Sequence, residues 1–183
     1  MLIHAIITHS RVNGPGVRSV VYFQGCDLAC AGCWNPATHA FSGTERSPDD
    51  IAAQILGVVG IDGVTFSGGE PMQQAPALLD LITGLKARRP ILSIGMYSGY
   101  TERELDANPV WRDVRLHLDF AVLGRFVAAK PSSLPLRTSA NQALRLFSGR
   151  YREEDFQPQE CEVQISRDGL VQITGFPLAG SPA

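Results

Sequence analysis

Between Val17 and Val122 the chain alternates short runs of β-branched and aromatic residues with longer stretches whose apolar positions recur every three or four residues. Val17 to Gln24 (VRSVVYFQ) reads as a buried strand. Ser47-Pro48-Asp49-Asp50 announces a helix, with an N-cap serine, proline at the first helical position and acids in the first turn. Ile51, Ile55, Val58 and Val59 then keep helical spacing. Asp62-Gly63 breaks the pattern, and Val64 to Phe66 is a short strand ending at Ser67-Gly68-Gly69-Glu70-Pro71. A second helix is predicted over Ala75 to Arg88, with Leu78, Leu81, Ile82 and Leu85 on one face. Lys86, Arg88 and Arg89 fit its positively charged last turn, closed by Pro90. Ile91 to Tyr97 reads as a strand ending at Ser98-Gly99. Thr101 and Glu104 have capping-box spacing for a short helix. Leu116 to Val122 and Ala143 to Phe147 read as further strands, with Ala128 to Pro135 a loop.

Strands alternating with helices predict βα units and a parallel sheet, open or partly closed into a barrel. In such sheets ligands gather at the carboxyl ends of the strands. Both distinctive motifs, the cysteine-rich loop after the first strand and the Ser67–Pro71 turn, fall there. The tail differs. Glu162 to Ser166 and Leu170 to Thr174 alternate around Asp168-Gly169, which predicts a β-hairpin. The expected organisation is one α/β domain over 1–149 with a hairpin extension over 150–183 packed on it. Repeats and low-complexity stretches are absent from the sequence.

The 183 residues, 44% hydrophobic and 19% charged, fit a globular domain with a sizeable core. A net charge of −2 argues against nucleic-acid binding through a broad basic surface. No apolar run is long enough to span a bilayer. Met1 to Thr8 has no basic flank and no small-residue cleavage site, so no secretory signal is expected and a cytoplasmic setting follows. In that reducing setting the four cysteines are expected to be thiols or metal ligands rather than disulfides.

Three of them fall together, in Gly25-Cys26-Asp27-Leu28-Ala29-Cys30-Ala31-Gly32-Cys33-Trp34-Asn35. Thiolates this close can wrap one metal centre, and Gly25 and Gly32 let the loop bend. A 4Fe–4S cubane normally takes four thiolates, so three leave one iron open. An open position marks a metal used for chemistry. The rival is structural zinc, with a fourth ligand from His39, His4, His9, His117 or the distant Cys161; buried structural thiols are a third reading. His39 follows the loop and is the histidine to test. Cys161 reads as a small strand residue of the hairpin.

The Cys26-x3-Cys30-x2-Cys33 spacing resembles the signature of the radical S-adenosylmethionine superfamily. Asn13-Gly14-Pro15-Gly16-Val17-Arg18 and Ser67-Gly68-Gly69-Glu70-Pro71 narrow the resemblance to the activating enzymes of glycyl radical proteins. Gly32-Cys33-Trp34-Asn35, Tyr97-Ser98-Gly99-Tyr100, Gly124-Arg125-Phe126 and Ser139-x-Asn141-Gln142 are similar to the activases of anaerobic ribonucleotide reductase. Departures occur at Leu123, where an acid is usual, and at Thr138, where glycine is usual.

The resemblance implies a partial (β/α) barrel of the radical S-adenosylmethionine type, since a full eight-strand barrel needs about 200 residues or more. It implies a 4Fe–4S cluster on Cys26, Cys30 and Cys33, and S-adenosylmethionine as cofactor. Glu70, at the end of a strand whose Gly68-Gly69 admits close backbone approach, is the implied holder of the methionine ammonium. Ser67, Gly32, Trp34, Ser98 and Arg125 are further implied cofactor contacts. Read from the residues alone, Trp34 equally suits a core aromatic and Arg125 a solvated strand end. The implied partners are a glycyl radical protein, anaerobic ribonucleotide reductase in the first instance, and a flavodoxin-like or other low-potential electron donor. Two other readings stand beside this: a radical enzyme that modifies another protein or peptide with the hairpin helping recognition, and a noncatalytic iron–sulfur or zinc module.

Overall fold

The computed structural model describes residues 1–157, 160–169 and 171–176. Strands β2 (Arg18–Phe23), β3 (Gly63–Gly68), β4 (Ser93–Ser98) and β5 (Phe120–Leu123) form a parallel ladder, with Tyr22 opposite Ser67, Thr65 opposite Gly95 and Tyr97 opposite Val122. Antiparallel strands flank it: β1 (Ile3–Ser10) beside β2, and β6 (Ala143–Leu146) beside β5. Strand order follows chain order. A separate two-stranded sheet, β7 (Cys161–Ile165) with β8 (Val171–Gly175), is the expected C-terminal hairpin. The α/β class with a mostly parallel sheet is therefore borne out.

Two helices explain why the central strands read as continuous apolar runs. Helix α1 (Pro48–Leu56) is capped by Ser47, whose side chain accepts from the Asp50 N–H, and it buries Ile51 and Ile55. Helix α2 (Ala75–Arg88) buries Leu78, Leu81, Ile82 and Leu85. These side chains share one core with Val64, Phe66, Ile94 and Met96 of the sheet. Each such burial contributes about 1.5–3 kcal/mol. The sheet's other face is covered by the tail. There Phe120, Val122, Leu136, Phe156 and Phe176 form a second apolar cluster.

Arg18 ties the parallel strands together beneath that second face. Its fully buried guanidinium donates to Thr65 Oγ1 at 2.7 Å, the Val64 carbonyl at 2.8 Å and the Ser93 carbonyl at 3.2 Å, and lies 5.0 Å from the Phe120 ring centroid.

The basic residues at the end of α2 act locally, as expected. Lys86 Nζ donates to the Leu92 carbonyl, Arg89 to the Ile61 carbonyl, and Arg88 pairs with Asp49 at 3.2 Å. Helix α3 (Glu102–Leu105) carries the complete Thr101–Glu104 capping box.

Several boundaries differ from the sequence reading. Helix α1 stops at Leu56, leaving Val58 outside it and Val59 86% exposed, because the chain turns at Gly57. The β4 run starts at Ser93, and Ile91 is exposed. Leu116 is 75% exposed in a turn rather than in a strand. It follows a short helix, α4 (Trp111–Arg115), whose Trp111 and Val114 pack into the core with Leu118. His4 lies in β1, an edge strand whose mixed burial hides its period, and His117 lies in the turn after α4. Leu170, the expected start of the return strand, lies outside the described residues. No described helix is long and apolar enough to cross a membrane.

Candidate metal and cofactor site

The carboxyl end of β2 feeds directly into the cysteine loop. The Gln24 side chain fixes the loop's return, with Nε2 donating to the Ala37 and Ala40 carbonyls at 3.2 and 2.6 Å and Oε1 bonded to His4 Nδ1 at 2.9 Å. The Gly25 N–H donates to the Thr38 carbonyl at 2.8 Å and the Cys26 N–H to the His39 carbonyl at 3.0 Å. Gly25 has φ +105°, and a Cβ there would strike the Phe41 ring. The loop then folds tightly, the Cys33 N–H donating to the Cys30 carbonyl at 3.1 Å and the Asn35 N–H to Cys33 Sγ at 3.4 Å.

All three thiols are half-buried and line one cavity of about 660 Å³. Burial pushes the Cys26 and Cys33 thiols up, so metal binding must draw off their protons. Among the described residues no three His, Cys, Asp or Glu side chains converge closely enough to hold a single ion. A cubane gives each thiolate its own iron, and three thiols from one loop opening into one cavity are a donor set that fits it.

The carboxyl ends of β3 and β4 form the next wall. Gly68 has φ +92°, where a Cβ would meet the Phe23 backbone 2.7 Å away, and a Cβ on Gly69 would collide with the Gly25 carbonyl. That carbonyl instead accepts the Glu70 N–H at 2.9 Å, which locks the two loops together. Glu70 is 1% exposed. Its Oε1 accepts from the Met72 N–H at 2.9 Å and Ser98 Oγ at 2.8 Å, and its Oε2 from the Gly99 N–H at 2.7 Å. Burial raises its pKa from the ordinary 4.5 to about 7, although those donors and Arg125 favour the charged form. A carboxylate has about four acceptor positions. Three are used, which leaves room for one cationic donor.

Of the residues singled out from sequence, Cys26, Cys30, Cys33, Gly32, Trp34, Ser67, Gly68, Gly69, Glu70 and Ser98 all line this cavity. Arg125 does not. It donates to Glu104 Oε2 at 2.6 Å and to the Gly99 carbonyl at 3.0 Å, and stacks over Tyr100. The Thr101 N–H and hydroxyl, helped by Arg125, hold Glu104 down at about 2. His39 contributes its backbone carbonyl to the loop and lies outside the cavity lining. Asn141 and Gln142 donate to the Arg125 and Gly124 carbonyls and so fasten the loop after β5. Trp34 packs between Phe126, at 5.7 Å between centroids, and Phe176, at 6.2 Å.

Sequence reasoning passed over other residues of the same cavity. Tyr22, Tyr97, Thr174 and Phe176 line it, and so does Cys161, on the side supplied by the hairpin. The signal for Tyr22 and Tyr97 was available: in a strand covered on both faces, each polar ring must point into something. Nothing local in the sequence places the tail there.

A family described as a 4Fe–4S single cluster domain matches residues 12–145. The anaerobic ribonucleoside-triphosphate reductase-activating protein of Vibrio cholerae is 33% identical over 145 residues, covering 75% of this chain and 92% of that protein. Its Escherichia coli counterpart is 31% identical over 141 residues, covering 73% and 90%. The pyruvate formate-lyase-activating enzyme of Listeria monocytogenes is 40% identical over 91 residues, 46% of this chain and 37% of that protein. Similarity of this extent, running through all four parallel strands that frame the cavity, makes the chain a member of the 4Fe–4S single-cluster family, among the radical S-adenosylmethionine activases of glycyl radical proteins.

Proposed function

We propose that the chain installs a glycyl radical on an anaerobic ribonucleotide reductase. The observation that carries this reading is the opening of the three-thiol loop and the Gly68-Gly69-Glu70 turn into one cavity. A bound 4Fe–4S cluster and S-adenosylmethionine would supply one-electron radical chemistry for taking a hydrogen atom from the partner's glycine.

The chain's own residues bind, orient and exclude water. Cys26, Cys30 and Cys33 would hold the cluster through three thiolates, beside the part of the cavity where the methionine end of the cofactor would lie. Glu70, with one acceptor position left, takes the ammonium, while Ser98 and Gly99 hold its carboxylate in place. Gly32, Ser67, Gly68 and Gly69 let backbone approach the cofactor. Trp34 screens the cluster side of the cavity with Phe126. Arg125 acts through Glu104 and the Gly99 carbonyl, positioning the β4 rim.

The sheet is read as a partial barrel whose open side receives the partner, with residues 1–149 as the catalytic domain and 150–183 as an extension packed on it. A flavodoxin-like or other low-potential donor supplies electrons in the cytoplasm, without nucleic acid or membrane. The match to a pyruvate formate-lyase activase covers under half of this chain, so the reductase is the favoured substrate over other glycyl radical proteins. The test mixes anoxically loaded, reduced enzyme with S-adenosylmethionine and the organism's anaerobic reductase. A glycyl radical doublet in the electron paramagnetic resonance spectrum of the reductase is expected, and none with Cys30→Ala. A doublet with that variant would remove Cys30 as a ligand.

A further inference from the structure

The β7–β8 hairpin forms one wall of the cavity, with Cys161, Val163 and Ile173 of its apolar face on the lining. Val163, Ile165, Val171 and Ile173 pair across the strands and are 54%, 71%, 54% and 57% exposed. Its polar face turns toward the body. Glu162 Oε2 accepts from the Arg11 N–H at 3.1 Å and Gln164 Nε2 donates to the His9 carbonyl at 2.6 Å. Thr174 Oγ1 accepts from Asn13 Nδ2 at 2.7 Å and bonds Tyr22 OH at 2.6 Å. Phe176 is the apolar plug beside them, within 6.2 Å of Trp34 and 6.5 Å of Tyr97 between ring centroids.

A hairpin held this way leaves these apolar residues more than half exposed along the open cavity. Apart from Phe176 it is joined to the body by hydrogen bonds, those of Glu162 and Gln164 exposed to water. Such segments open locally at low cost. The closed arrangement also carries a fault. Tyr97 OH is buried with no hydrogen-bond partner among the described residues, a penalty that lifting the cover would relieve. Burial raises the pKa of this phenol far above its ordinary value, so it stays protonated and wants an acceptor. Finally, β7 and β8 lie beyond residues 12–145, the part shared with the single-cluster family.

We propose that β7, β8 and Phe176 form a lid over the cavity, and that it must lift to admit the glycine-bearing segment of the protein substrate. The proposal rests on the activase reading. Closed, the lid narrows the approach to the thiols from the hairpin side; open, it uncovers Trp34, Tyr22 and Tyr97.

The test uses anoxically loaded holoenzyme and its Thr174→Val and Phe176→Ala variants. Two rates are followed: iron release to bathophenanthroline disulfonate, and backbone hydrogen exchange read by mass spectrometry. When opening is fast relative to attack, both rates track the open population. In the wild type, β7 and β8 should exchange well ahead of β3 and β4. Thr174→Val, which removes two ordinary hydrogen bonds, should raise hairpin exchange and iron release together by about tenfold, with β3 and β4 unchanged. Phe176→Ala should move both in the same direction. Hairpin exchange as slow as that of β3 and β4 would show a fixed wall and overturn the lid. So would faster hairpin exchange with iron release at the wild-type rate. A wild type that takes up no cluster counts against the activase reading instead, and hairpin exchange still reports whether the lid opens.

Discussion

Glu70 concentrates the site's electrostatics in one side chain. Three donors converge on its two oxygens, from the Met72 and Gly99 amides and the Ser98 hydroxyl. An amide cannot accept at both ends, so Glu70→Gln sets a donor against at least one of them. A loss of about 1–3 kcal/mol in urea unfolding of the metal-free chain is expected. The pH dependence has a definite sign. The folded pKa, about 7, lies above the ordinary 4.5, so Glu70's contribution is fully present below about pH 4.5 and fades as pH rises through 7. Glu70→Gln should remove that component between pH 4.5 and 7.5. An unchanged pH profile would mean that Glu70 is not the buried titrating group. Gly69 makes a second test at this scale. Its missing Cβ is what lets the Gly25 carbonyl approach, so Gly69→Ala should cost about 1–3 kcal/mol and lower the iron taken up per chain. Full iron loading at wild-type stability would show that the two loops are not interlocked.

Among the elements, β2 carries both the cysteine loop and the buried strut Arg18. Arg18→Ala would strip bonds from Thr65 and from the Val64 and Ser93 carbonyls and leave a cavity below Phe120. A loss of about 3 kcal/mol or more is expected in urea unfolding. A loss under 1 kcal/mol would contradict the strut. Elements with strong local signals were legible from sequence. Ser47-Pro48-Asp49-Asp50 marked α1, the Leu78–Leu85 face marked α2, and Thr101 with Glu104 marked α3. Helix α4 was hidden because Leu116 to Val122 looks like one apolar run, although Trp111, Val114 and Leu118 keep helical spacing. Edge strand β1 was hidden by its partial exposure. A hairpin at Asp168-Gly169 was readable from sequence, but not its register or which face meets the body. Tertiary partners on Arg11, His9, Asn13 and Tyr22 decide that, and they lie about 150 residues away.

For the whole molecule, sequence order and site coincide. Because strands add side by side in chain order, the ends of β2, β3 and β4 come together, and with them the thiol loop, the glycine pair and the Ser98 rim. The cysteine spacing and the Ser67–Pro71 turn exposed that much of the site to sequence reasoning. The aromatic inner face and its cover depend on a tail folding back across the sheet, which no local pattern encodes. The account stands on the thiol loop holding a cluster with an open iron beside Glu70. The most direct measurement is anoxic reconstitution with iron and sulfide, followed by dithionite and S-adenosylmethionine. About four irons and four sulfides per chain, with 5′-deoxyadenosine released, are predicted. A colourless, iron-free chain, or a cluster that yields no 5′-deoxyadenosine, would contradict it.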